Sequence, residues 1–390
     1  MNDGGRGSLL NIISARVLLS FSYGFLNVLL SLYLHYIGYS FLEIGLILTG
    51  AILINSLMSF SLGMVGDRLG RKFTLIGLFI MFSVSSFLFL STKNPLILML
   101  MSGIGGFTGS GGGPIGSGGP FGAIQTALIT EFTKREKFSA TLSIASVIGI
   151  AASSGGSFLI ELFEHVHIDV YLLFYLSGVL GLAGAIVSVW LKDRKVRSKN
   201  FLPKISWRNI IKLAIPTIPN GVGSGFISPI FSLWFHIRFG LTSGQIGVIF
   251  GLSNIVVILT MLILPRITRP ETELKAIVGT RLISSLALIL LAFSPFLIVT
   301  SALYALRQGT QMGAVPIRQS FSLGIVHEAE RATSSGATSM TRTGFSSVSP
   351  PFAGSLLSLN SAYPPFIAGL ITLADPALYY FLFKKTFRRK

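Results

Sequence analysis

Long apolar runs dominate the chain, and short polar turns separate them. A helix crossing a bilayer needs about 20 apolar residues. Runs of that kind lie near 9–36, 42–65, 73–92, 95–129, 138–162, 170–191, 208–236, 243–265, 274–293, 295–326, 333–358 and 362–383. The pattern predicts twelve transmembrane helices and leaves little sequence for a soluble domain. The longest polar stretch, Lys192–Arg208, divides the chain near its midpoint. Three parts are expected: an N-terminal six-helix bundle over 1–191, a cytoplasmic linker over 192–207 and a C-terminal six-helix bundle over 208–390. Met1–Ser8 is short and polar, and the run after it is too long for the apolar core of a signal peptide, so no cleaved leader is expected.

The two halves repeat each other weakly. Ile44-Gly45-Leu46-Ile47 has a counterpart in Ile246-Gly247-Val248-Ile249, and Asn94-Pro95 in Ser294-Pro295. Gln125 with Glu131 and Arg135 has one in Gln319 with Glu328 and Arg331. The offsets of 202, 200 and 194–197 are close to half the chain. Parallel six-helix repeats point to an internally duplicated, pseudo-symmetric membrane bundle.

Composition and charge refine this picture. Hydrophobic residues make up 51% and charged residues 12% of the chain, and the mean hydropathy is +0.72. A soluble domain carries about twice that charge. The net charge of +17 raises nucleic acid as a partner, but the basic residues are scattered among turns between apolar runs, so none is expected. With both termini inside, the cytoplasmic segments hold 24 Lys and Arg, and the outer segments only Lys93 and Arg238. That bias predicts cytoplasmic termini. No cysteine is present, which removes disulfides and thiolate chemistry.

The turn Gly63-Met-Val-Gly66-Asp67-Arg68-Leu-Gly70-Arg71-Lys72 is basic and punctuated by glycine. Here the chain resembles the major facilitator superfamily of secondary transporters. The hallmark of that family between its second and third spans reads Gly-x-x-x-Asp-Arg-x-Gly-Arg-Lys, and every letter is present. The resemblance implies a cytoplasmic gate built on Gly63, Asp67, Arg68, Gly70, Arg71 and Lys72. In the family the acid, here Asp67, sits against the N-terminus of the eleventh span, where a helix dipole favours negative charge, and pairs with bases ending the fourth span, here Lys134 or Arg135. A solvated loop charge is the plainer reading of Asp67. Glu131 with Arg135, and Glu328 with Arg331, read either as exposed helix-end pairs worth under ~1 kcal/mol or, by resemblance, as parts of the same latch. The second half carries Pro265-Arg-Ile-Thr-Arg269-Pro270 in the equivalent turn, so the gate is expected to be asymmetric.

Charges within the spans are the other candidates, since an ionised group at bilayer depth costs ~2.5–3.5 kcal/mol even on the lenient insertion scale. Arg16 and Arg281 lie near span ends and read as snorkelling side chains. Arg307, Arg318 and Arg342 lie deeper and are assigned to a substrate cavity. Asn27, Gln125 and Asn220 are assigned to it as amides, although a buried interhelical hydrogen bond explains Asn27 equally well. Asp375 is the one deep acid. It reads first as an arginine's ion-pair partner and second as a proton-coupling carboxylate. Eleven of the twenty residues from Gly103 to Gly122 are glycine. No Lys-Ser/Thr follows and no strand precedes them, which argues against a phosphate loop. Close helix packing or a broken helix lining a cavity remains. Pro216, Pro219 and Pro229 predict a bent seventh span, and Pro350-Pro351 a bent eleventh. Ala151-Ala-Ser-Ser-Gly155-Gly156 resembles a degraded form of the antiporter motif Gly-Pro-x-x-Gly-Gly.

The chain is thus read as an all-α integral membrane protein of the major facilitator fold. It would be a secondary active transporter moving a small, anionic solute by rocker-switch alternating access, with protons as an optional coupling partner. Proton-antiport multidrug efflux is the alternative. A receptor or an intramembrane enzyme is the reading outside transport, and the five histidines, all near span ends or in loops, offer no catalytic set. No cofactor and no metal is expected. A monomer in the cell membrane is expected, with the lipid bilayer and a small-molecule substrate as its partners.

Overall fold

The computed structural model describes residues 3–108, 119–133, 138–191, 206–326 and 331–387. Side chains at 3–6, 60, 63–69, 130, 139, 270, 323, 331–333, 335 and 385–387 lie outside that description. Regular structure in the described residues is helical throughout. The first half contains α1 (Asp3–Tyr36), α2 (Phe41–Leu69), α3 (Arg71–Phe89), α4 (Pro95–Gly105), α5 (Gly119–Phe132), α6 (Phe138–His165) and α7 (Leu173–Val189). The second contains α8 (Trp207–Ala214), α9 (Thr217–Ile227), α10 (Phe231–Phe239), α11 (Ser243–Ile267), α12 (Glu273–Phe293), α13 (Leu297–Gly313), α14 (Val315–Ile325), α15 (Arg331–Ser346), α16 (Pro350–Leu359), α17 (Tyr363–Thr372) and α18 (Ala374–Phe387).

Among the described residues, nine helical stretches are long and apolar enough to cross a membrane. The other three apolar runs, 95–129, 295–326 and 333–358, are split into α4/α5, α13/α14 and α15/α16. Each split has a local cause. Pro316 and Pro350 stand in the first turns of α14 and α16, where a missing N–H is harmless but the preceding helix cannot continue. Pro216 and Pro229 interrupt the 207–239 stretch at its junctions. Gly106 ends α4 in the left-handed region, at φ 74°, which glycine adopts without strain. Other ends are set by caps. Asn94 accepts a hydrogen bond from the Leu96 N–H at 3.0 Å, and Thr242 with Gln245 forms a capping box on α11.

The broken fourth run is anchored by its flanks. Tyr23 Oη donates to the Gly105 carbonyl at 3.2 Å, and Asn55 Nδ2 to that of Gly103 at 3.3 Å. Phe107 then inserts among the rings of Phe82, Phe89 and Phe174, with centroids 5.5, 5.9 and 6.3 Å away. Of the three sequence readings, the broken helix fits the described flanks, because Gly106, Thr108, Gly119 and Pro120 line a cavity. Residues 109–118 lie outside the described residues.

The halves meet along α6 with α11 and along α2 with α16. Small residues permit the approach. A Cβ on Gly45 would run into the Pro350 carbonyl oxygen, and one on Gly247 would lie 2.5 Å from that of Ser157. Gly45 and Gly247 are the equivalent positions of the repeat, so the duplication places one glycine at each of two crossings between halves. Thr49 Oγ1 donates to the Ser347 carbonyl at 2.8 Å, Ser31 and Ser232 hydroxyls pair at 2.9 Å, and the Gly244 N–H donates to the Glu164 carboxylate at 2.6 Å. These contacts lie toward the end opposite the basic turns. Large apolar side chains such as Leu259, Leu290 and Ile298 face outward, as a lipid-exposed surface requires.

Candidate functional site

A central cavity of about 160 Å³ lies between the two halves. One wall comes from α1, α2, α6 and the α4/α5 break, and the other from α9, α11, α13 and α15. Arg16, Arg307 and Arg342 line it, and no Asp or Glu occurs among its described lining residues. Asn27, Asn55, Asn254, Gln308 and Gln311 add amides.

Arg16 does not snorkel. It is 5% exposed and donates from Nη1 to Gln125 Oε1 at 3.1 Å. Its helix α1 packs against α5, α6, α7, α10 and α11, and Arg16 stands nearly four turns into it, within that enclosure. Gly149 makes room: a Cβ there would sit 2.8 Å from Arg16 Nε. Gln125 itself is fully buried behind the cavity wall and acts on it through Arg16.

On α13, Tyr304, Arg307, Gln308 and Gln311 share one face, as their spacing of three and four residues dictates. Arg307 Nη1 donates to Gln308 Oε1 at 3.1 Å, and Gln308 Nε2 donates to Tyr304 Oη at 3.3 Å. Among the described residues Arg307 has no ion-pair partner. Arg342 and Asn27 line the same cavity. Arg318 does not. Its Nη1 donates to the Gln311 carbonyl at 2.9 Å, so it caps the broken end of α13. Asn220 is likewise absent from the central cavity and lines a smaller pocket behind it.

That rear pocket has about 10 Å³, room for roughly one water. Arg281, Asp375, Ser284 and Asn220 line it, and Arg307 and Gln311 border both spaces. Arg281 forms an ion pair with Asp375, and both are buried. The guanidinium also lies over the Tyr379 ring, 4.8 Å from its centroid. Asp375 stands in the first turn of α18, where the helix dipole favours a negative charge. Arg281 is therefore an ion-pair partner and not a snorkelling side chain. Position along the chain points the other way because Arg281 and Asp375 are far apart in sequence and meet only through the packing of α12 on α18.

At the basic end, Arg71 at the start of α3 is ion-paired with Glu131 at the end of α5, tying two helices of one half together. Gly63 lies in α2, and the side chains of Asp67, Arg68 and Arg331 and all of Lys134, Arg135 and Glu328 lie outside the described residues. Gly70, at φ 103°, is the single residue between α2 and α3, and Lys72 follows in the first turn of α3.

Sequence reasoning missed the aromatic roof. Tyr304 packs against Phe231 and Phe250, with ring centroids 4.8 and 5.1 Å apart, and all three face the cavity. Their rings come from three separate helices, and no local spacing signals that they converge.

The family model of the Major Facilitator Superfamily matches residues 12–350. The quinolone resistance protein NorA of Staphylococcus aureus (strain COL) is 26% identical over 384 residues, covering 94% of each chain. NorA of strain MSSA476 is 27% identical over 286 residues, 70% of each. Among solved structures, the human organic anion transporter MFSD10 (TETRAN) superimposes with a TM-score of 0.69 at 14% identity, covering 96% of this chain and 99% of that one. A bacterial homolog of the human lysosomal transporter Spinster, inward-facing and unoccupied, gives a TM-score of 0.71 at 12% identity, covering 100% and 98%.

Proposed function

The chain belongs to the major facilitator superfamily, a multi-pass membrane transporter of small molecules rather than an enzyme, and on that premise we propose that it carries a small anionic solute by alternating access. One observation carries the charge preference: three arginines and no carboxylate among the described residues that line the central cavity. Guanidinium groups in a low-dielectric site bind carboxylate or phosphate bidentately. The structural neighbour MFSD10 is an organic anion transporter, in agreement with that preference.

In this reading the contacts of Gly45, Thr49, Ser31 and Gly244 close the outer side, and the two halves rock about the cavity. The 63–72 turn, with Glu131 and Arg135, is the cytoplasmic latch. The protein lies in the cell membrane as a monomer with both termini in the cytoplasm, following the Lys and Arg distribution. Energy comes from an ion or substrate gradient.

Multidrug efflux is the second reading, favoured by the likeness to NorA over 94% of both chains. Uptake and counterflow in proteoliposomes separate the two. Organic and inorganic anions are compared with cationic dyes, with and without a pH gradient. Counterflow of an anion, with no dye transport, is the expected result. Transport of cationic dyes driven by a pH gradient, without anion counterflow, overturns the proposal in favour of efflux.

A further inference from the structure

The aromatic roof and Arg307 together describe a subsite more selective than a positive cavity. Resting on the anion reading above, we propose that the cavity selects organic acids whose charged group sits on, or one carbon from, an aromatic ring.

Three rings meet at the roof. Tyr304 is the centre, with Phe231 at 4.8 Å and Phe250 at 5.1 Å. Phe231 is itself backed by Trp234, stacked at 5.1 Å and 8°. Backing of this kind fixes the ring positions, so a bound arene meets a rigid surface. Phe250 is half-buried and Tyr304 is fully packed, which makes Phe250 the ring most open to the cavity. Stacked and edge-on ring pairs contribute beyond simple area burial.

Arg307 follows Tyr304 by three residues on the same helix. The rise between them is about 4.5 Å. The two are coupled through Gln308, which donates to Tyr304 Oη and accepts from Arg307 Nη1. One amide thereby holds the ring and the guanidinium in a fixed relation. An acid group on Arg307 places a directly attached arene against the roof. A long flexible chain between acid and ring would carry the ring past it.

An aromatic cage alone would suit a cation. Here the cation is already present in the protein, with Arg307 one turn away and Arg16 and Arg342 lining the same cavity. A cationic ligand would meet three like charges and no described carboxylate. The rings and the guanidinium therefore act on the same ligand, one on its arene and the other on its acid.

The test uses the full-length purified protein and direct binding of radiolabelled benzoate and radiolabelled cyclohexanecarboxylate, with benzylammonium as an aromatic cation. The acids match in charge and approximate size and differ in the ring. Benzoate is expected to bind about two- to tenfold tighter. Phe250→Leu should weaken benzoate binding more than cyclohexanecarboxylate binding and so reduce that preference, while Phe250→Tyr, which keeps an arene, should retain it. Equal binding of the two acids, or equal weakening of both by Phe250→Leu, overturns the aromatic subsite and leaves the anion reading standing. Binding of benzylammonium alone, or of neither acid, overturns the anion reading and the subsite with it.

Discussion

The central cavity and the pocket behind it share a wall, and they treat buried positive charge in opposite ways. Behind the wall, Arg281 has a carboxylate partner, Asp375, and a ring beneath it, Tyr379. In front of it, Arg307 has only the neutral amide of Gln308 among the described residues. Both guanidiniums are withdrawn from water, and such charge is costly unless paired. On the proposed function the cost in front is offset when an incoming ligand supplies the missing negative charge. The rear pocket pairs its charge internally, and on the proposed function the cavity leaves that pairing to an anionic substrate.

The largest effect should come from breaking the internally paired side. Asp375→Asn leaves Arg281 buried without its counter-charge, which costs about 3–5 kcal/mol. Expression and Tm should fall together in a thermal unfolding assay, with residual transport by whatever folds. Loss of pH-driven accumulation at wild-type Tm would instead make Asp375 a proton carrier and dissolve the contrast. Importing the rear-pocket arrangement into the cavity should act next most strongly. Gln308→Glu puts a carboxylate at 3.1 Å contact range of the Arg307 guanidinium and completes the site internally. Anion affinity should fall about tenfold or more, with Tm held or raised. Unchanged affinity would show that Arg307 does not meet the ligand. The mildest change is Arg342→Lys, which keeps the charge and removes the fork. Affinity should weaken by a few-fold, since a point charge cannot bind an oxyanion bidentately. An effect as large as that of Gln308→Glu would move the centre of recognition from α13 to α15.

The sequence made the outline of this legible and left the interior obscure. Apolar run length located the helices, and prolines at 216, 229 and 350 marked junctions because their nitrogen cannot donate a hydrogen bond. The repeat aligned Gly45 with Gly247, which the structure places at two crossings between halves. It also aligned Gln125 with Gln319, and there the likeness ends. Gln125 is buried against Arg16, and Gln319 is exposed. A single deep acid among five arginines made an ion pair for Asp375 readable, but not which arginine it would take. Depth along a helix was the only sequence measure for Arg16 and Arg318, and it misplaced both. Arg16 lies near the start of the apolar run 9–36, yet α1 begins earlier and its neighbours enclose it there; Arg318 lies deep, yet it turns back to the broken end of α13. Enclosure and turning are tertiary properties, and a one-dimensional position carries neither.

The charge at Arg307 can be tested by one measurement, the thermal stabilisation of the purified protein by organic anions, made side by side on wild type and Arg307→Gln. Wild type should be stabilised by anions and not by cationic dyes. Arg307→Gln should show an equal or higher ligand-free Tm, because a buried charge without a carboxylate has been removed, and should lose the stabilisation at concentrations that saturate wild type. A lower ligand-free Tm with anion stabilisation intact would contradict the account, since it would make Arg307 a structural charge like Arg281.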